Sequence, residues 1–121
     1  MNLQDRIDAL TKALAKLDLA IQQTDNLTPK GDDILTVASQ LADLKAGRES
    51  LNFQLDNLKM ATGEVPDLAP AVAARLTALS GDLDNIILRQ ATVSGVLDFG
   101  TAILGKVSDL RKAATTRGAG A

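Results

Sequence analysis

Aliphatic side chains recur along most of the chain at alternating intervals of three and four residues. The first stripe consists of Leu3, Ile7, Leu10, Leu14, Leu17 and Ile21. The second stripe consists of Ile34, Val37, Leu41, Leu44, Leu51, Leu55 and Leu58. A third stripe begins at Val72 and continues in phase to Val107. This spacing turns one seam of a helix toward its neighbours, and no alternating run typical of a strand is present. The pattern therefore predicts an all-α protein.

Proline and glycine separate the three stripes. Pro29 and Gly31 follow the first stripe, and Gly63 and Pro66 follow the second. These residues are typical of helix ends and first helical turns. The predicted helices cover residues 2–24, 32–61 and 67–113, in one bundle over 1–114 with a flexible tail at 115–121. Because the connections are short, neighbouring helices should be antiparallel, which predicts an antiparallel three-helix coiled-coil bundle.

The predicted third helix is much longer than the other two. At ~1.5 Å per residue it spans ~69 Å, against ~43 Å for the second helix, and leaves an overhang of ~25 Å. The overhang carries a group of apolar side chains that soluble monomers seldom expose together. The group consists of Val96, Phe99, Ile103, Leu104, Val107 and Leu110. We therefore predict that these six residues form an association site for a protein partner or a second copy.

An alternative to the overhang is a break in the third helix. Gly81, Gly95 and Gly100 each weaken a helix interior by ~1 kcal/mol, so a break at one of them would give a fourth helix that folds back over the bundle. The stripe keeps its phase across these glycines, and this continuity favours the long helix.

Arg48 is the one charged residue in the seam of the second stripe. A long side chain of this kind can reach solvent from the edge of a seam without a partner. Alternatively it can fix the register of the helices through an ion pair. In the register expected from short loops, the carboxylates near Arg48 are Asp8 and Asp82.

The composition removes most catalytic chemistry. The chain has no His and no Cys, and therefore lacks the commonest general base and any thiolate nucleophile or metal ligand. Thirteen Lys and Arg face fifteen Asp and Glu, so the net charge of −2 argues against a nucleic-acid partner. We expect no catalytic, cofactor-binding or metal-binding residues.

These observations predict a non-enzymatic helical interaction protein, which would act as an adaptor, a scaffold or an assembly subunit. The alternative is an amphipathic, surface-active protein that coats a membrane or an apolar granule, because basic residues accompany the apolar 96–110 region. We see no targeting segment and no run of ~18 apolar residues, and therefore expect a cytoplasmic protein.

Overall fold

The computed structural model describes residues 2–60 and 68–115, and all of its regular structure is helical. Its four helices are α1 (Leu3–Asp25), α2 (Asp33–Lys59), α3 (Pro70–Asn85) and α4 (Val93–Thr115). The predicted all-α class is confirmed, and the bounds of α1 and α2 agree with the predicted bounds within two residues. Residues 61–67 and 116–121, which include most of the predicted tail, lie outside this description.

Local sequence explains where the helices begin. Asn2 caps α1: its side-chain oxygen accepts a hydrogen bond from the backbone N–H of Asp5 at 2.8 Å. The Asp5 carboxylate accepts in return from the Asn2 N–H at 3.3 Å, which completes a capping box. Gly31, at φ +61°, allows the tight turn before α2, and Pro70 occupies the first position of α3, where its missing N–H costs nothing.

Polar contacts show that α1 and α3 run in the same direction. Lys12 Nζ lies 2.8 Å from the Asp84 carboxylate, and four residues further along α1, Lys16 Nζ donates to the carbonyl oxygen of Ile86 at 2.9 Å. The contact that lies further along α1 therefore also lies further toward the C-terminal end of α3, as expected for two parallel helices.

The helices α2 and α4 also run parallel. Gln40 Nε2 donates to the carbonyl oxygen of Leu97 at 2.9 Å, and seven residues further on Gly47 lies beside Leu104. Because residues 86–92 connect α3 directly to α4, and Lys106 reaches back to Asp82, those two helices are antiparallel. The chain direction thus alternates from each helix to the next.

The central helices are α1 and α4, each of which packs against the other three. The flanking helices α2 and α3 make no contact with each other along their described lengths. One continuous core joins all four helices, and its largest fully buried side chains are Leu10, Leu17, Leu44, Leu51, Leu76, Leu83, Ile103 and Leu110. As a result, one side of α2 faces away from the rest of the molecule.

The predicted continuous third helix is wrong, and so is the three-helix architecture built on it. The chain leaves helical geometry at Ile86, and α4 begins at Val93. Thr92, the residue before α4, accepts a hydrogen bond on its Oγ1 from the Gly95 N–H at 3.0 Å. The fourth helix of the alternative prediction is present, although the break lies at none of the expected glycines: Gly81 is inside α3, and Gly95 and Gly100 are inside α4. The reversal of the chain buries one face of α4, and each large apolar side chain on that face contributes ~1.5–3 kcal/mol. Together these side chains contribute more than the few helical hydrogen bonds that are lost.

Candidate functional site

The six residues predicted to form an association site lie in or against the protein's own core. Val96, Phe99, Ile103, Val107 and Leu110 are each at most 4% exposed, and Leu104 is partly buried. The predicted surface is therefore wrong, because α4 turns back and packs this face against α1, α2 and α3 instead of projecting beyond them.

The predicted ion pair is also wrong in its partners. Arg48 Nε donates to the carboxylate of Asp18, which lies ten residues further along α1 than Asp8. Asp82 instead accepts from Lys106 at 3.2 Å. The register differs because the 26–32 connection is not a tight turn: position 48 lies opposite position 18, so the first two turns of α2 extend beyond the end of α1 at Asp25. About half of each side chain in the Arg48–Asp18 pair is exposed, so we expect the pair to contribute only ~0–1 kcal/mol.

A close approach between α2 and α4 explains Gly100. A Cβ atom at this position would lie 2.0 Å from Gln40 Nε2, so the glycine leaves room for the amide to reach the Leu97 carbonyl. Sequence reasoning interpreted Gly100 as a possible break, whereas its structural role is this contact.

Within residues 2–60 and 68–115, no three acidic, His or Cys side chains lie close enough together to hold a metal ion. In the same part of the chain, none of the helices is both long enough and apolar enough to cross a membrane.

The most distinctive surface feature is a row of apolar side chains along the outer face of α2. Leu35, Phe53 and Met60 are 79%, 70% and 76% exposed. Leu35 and Phe53 are eighteen residues apart, which is five turns of ~3.6 residues, so both point in the same direction from the helix axis. Two exposed alanines, Ala42 and Ala46, lie on the same line between them. We call these five residues the α2 outer stripe.

The outer stripe lies opposite the buried face of α2. Leu44 and Leu51, which are fully buried, point about half a turn away from Ala42 and Phe53. The helix is therefore apolar on two opposite sides. Among the residues that the structure describes, only one of these sides is covered, because α2 has no contact with α3 and its buried side already packs on α1 and α4.

Charged and polar residues border the stripe on both sides. Exposed Lys45 and Glu49 lie on the side toward α1, and exposed Asp43 and Ser50 lie on the side toward α4. Between α2 and α4, an open groove of about 530 Å³ begins beside Leu35. An apolar strip with a polar border is the arrangement of a helix-docking surface.

Sequence reasoning missed this surface because it assigned one seam to each helix. The signal was present in the spacing: Leu35, Ala42, Ala46, Phe53 and Met60 follow one another at intervals of seven, four, seven and seven residues. Polar residues at the intervening seam positions, Ser39, Glu49 and Asp56, obscured this second repeat.

Comparison of the chain with protein families, with characterised proteins and with solved structures gives no match.

Proposed function

We propose that this chain is a non-enzymatic helical association protein, and that it binds an amphipathic helix of a protein partner along the α2 outer stripe. The observation that carries the proposal is the exposure of Leu35, Phe53 and Met60 on one line along α2 and its C-cap residue, Met60. Isolated exposed apolar side chains are common on protein surfaces, but an aligned row with a helical repeat is typical of a helix partner site.

The expected binding strength is moderate. Full burial of a large apolar side chain contributes ~1.5–3 kcal/mol. Because these three side chains are mostly exposed, binding of a partner would supply most of that contribution. Together they would supply about 5 kcal/mol before the partner's own side chains are counted. Association costs ~4–15 kcal/mol in lost freedom, so the stripe supports reversible assembly rather than a permanent complex.

The surface-active alternative would use either the same stripe or, if the bundle opens, the inner faces of the helices. Membrane-binding helices usually carry Lys and Arg beside their apolar face, because anionic headgroups attract cations. The stripe is bordered instead by Asp43, Glu49 and Asp56 together with Lys45. This charge pattern favours a protein partner. The cytoplasmic location expected from the sequence stays a prediction.

The proposal can be tested by photo-crosslinking in the cells that produce the protein. A benzophenone amino acid replaces Phe53 in one variant and Ala78, which is exposed on α3, in a matched control. We expect discrete protein adducts at position 53 that disappear when Leu35 and Met60 are both changed to Asp. Equal adducts at both positions, or none at position 53, would contradict the proposal.

Vesicle flotation tests the alternative directly. Mixed zwitterionic and anionic phospholipid vesicles are floated with the wild-type protein and with a Phe53→Asp variant. We expect both proteins to stay at the bottom of the gradient. Flotation of the wild type alone would favour the surface-active function over the helix-binding one.

A further inference from the structure

We propose that the helix bound along the α2 outer stripe is α2 of a second copy of this chain, in antiparallel orientation. The twofold axis would pass near the midpoint of the stripe, between Gly47 and Arg48. This inference rests on the proposed function and adds the identity of the partner.

The apolar residues of the stripe are arranged to match themselves. About this midpoint, Phe53 of one copy lies opposite Ala42 of the other, so a large side chain meets a small one. Leu35 lies opposite Met60, so two large apolar side chains meet at each end of the interface. Ala46, close to the axis, lets the two helix backbones approach each other. A twofold interface requires this kind of self-complementary surface.

The charges beside the stripe match as well. In a twofold pair, each edge of the interface is formed by the same side of both helices. Lys45 and Glu49 border the stripe on one side, two residues on either side of Gly47. Lys45 of each copy therefore lies next to Glu49 of the other, which gives two equivalent ion pairs. A parallel twofold pair would instead set the α1-facing side of one helix against the α4-facing side of the other, so the match between Lys45 and Glu49 is made only in the antiparallel orientation.

The size of the surface sets the expected affinity. The stripe extends over twenty-six residues, or ~37 Å from Leu35 to Met60, and a helix pair covers a strip ~10 Å wide. The two copies together would bury less than the ~1,200 Å² of a standard interface. We therefore expect a reversible dimer with a dissociation constant on the order of 10–100 µM.

The absence of native cysteine makes a geometric test unambiguous. Ser39 and Asn57 are both exposed on the side of the stripe toward α4, and in the proposed dimer each faces the other across the interface. Ser39→Cys and Asn57→Cys variants are prepared separately and oxidised alone or mixed. In an antiparallel dimer two copies of the same cysteine lie ~25 Å or more apart, too far for a disulfide, which needs Cα atoms within ~7 Å.

We expect disulfide-linked dimers in the mixture and few in either variant alone. Dimers formed equally by each variant alone would refute the antiparallel pairing. No dimer in the mixture, at concentrations well above 100 µM, would refute the association of two copies.

A charge-exchange experiment by sedimentation equilibrium tests the register. Lys45→Glu and Glu49→Lys each place like charges opposite one another, and we expect each to raise the dissociation constant roughly 10-fold. Mixing the two variants restores both ion pairs and should return the wild-type value for the heterodimer. Circular dichroism melts verify that each variant is folded, and failure of the mixture to recover would overturn the register.

The two proposals fail in different ways. A wild-type protein that sediments as a monomer at every concentration, but gives adducts with another protein at position 53, contradicts only the second-copy inference. A protein with neither self-association nor adducts at position 53 contradicts both proposals.

Discussion

Substitution of Ile103 by alanine tests the packing of α4 directly. Ile103 is 0% exposed and lies in the core that joins all four helices. Replacing a large buried aliphatic residue with alanine costs ~2–5 kcal/mol, because the transfer energy of the methyl groups is lost and a cavity remains. We expect a loss of about 3 kcal/mol, since the side chain is fully enclosed in the core.

Ile87→Ala is the matched control, because Ile87 is 61% exposed in the 86–92 connection. The free energy of unfolding is measured by urea titration with far-UV circular dichroism, at two protein concentrations. We expect less than ~0.5 kcal/mol for the control, and the same loss for Ile103→Ala at both concentrations.

Two results would refute this reasoning. An equal, small effect of the two substitutions would show that α4 is not packed in the core. A loss for Ile103→Ala that shrinks as the protein is diluted would show that this residue is buried between chains, as a projecting third helix would require.

Three further predictions concern local features of the helices. Gly105→Ala should stabilise the protein by up to ~1 kcal/mol, because a Cβ atom there meets nothing within 4 Å. Gly95→Ala should destabilise it, because the Cβ atom would lie 2.3 Å from a backbone carbonyl oxygen. Thermal melts that rank the two variants in the opposite order would contradict this. Asn2→Ala should cost ~1 kcal/mol through loss of the α1 cap, and an unchanged unfolding midpoint would argue against the capping box. Asp18→Asn should cost at most ~1 kcal/mol, and less in high salt; a larger, salt-independent loss would mean that its pair with Arg48 is buried.

Local patterns determined the helical class and the first two helices. The three-and-four spacing from Leu3 to Ile21, and the stop formed by Pro29 and Gly31, define α1 and the start of α2 without reference to the rest of the chain. Signals of this kind act within one or two helical turns, so sequence reasoning can find them.

The end of α3 could not be found in this way. The seam continues in phase through residues 86–92, and no proline or glycine lies in that segment. The chain turns there because α4 gains more by packing Phe99, Ile103 and Leu110 against three helices than the continuous helix gains in backbone hydrogen bonds. That comparison depends on surfaces that exist only after α1, α2 and α3 have come together.

The outer stripe also separates what the sequence determined from what the tertiary structure decided. Its repeat, from Leu35 to Met60, was present in the sequence, and so was the inner seam that contains Leu44 and Leu51. Periodicity alone does not say which of two apolar faces is covered. The tertiary structure decided this when α1 and α4 packed on the inner face and α3 took a position away from α2, so that Phe53 and its neighbours remained exposed. The sequence by itself determined which residues share a face of a helix, and only the packing of all four helices determined which face meets water, because burial is a property of the assembled surfaces.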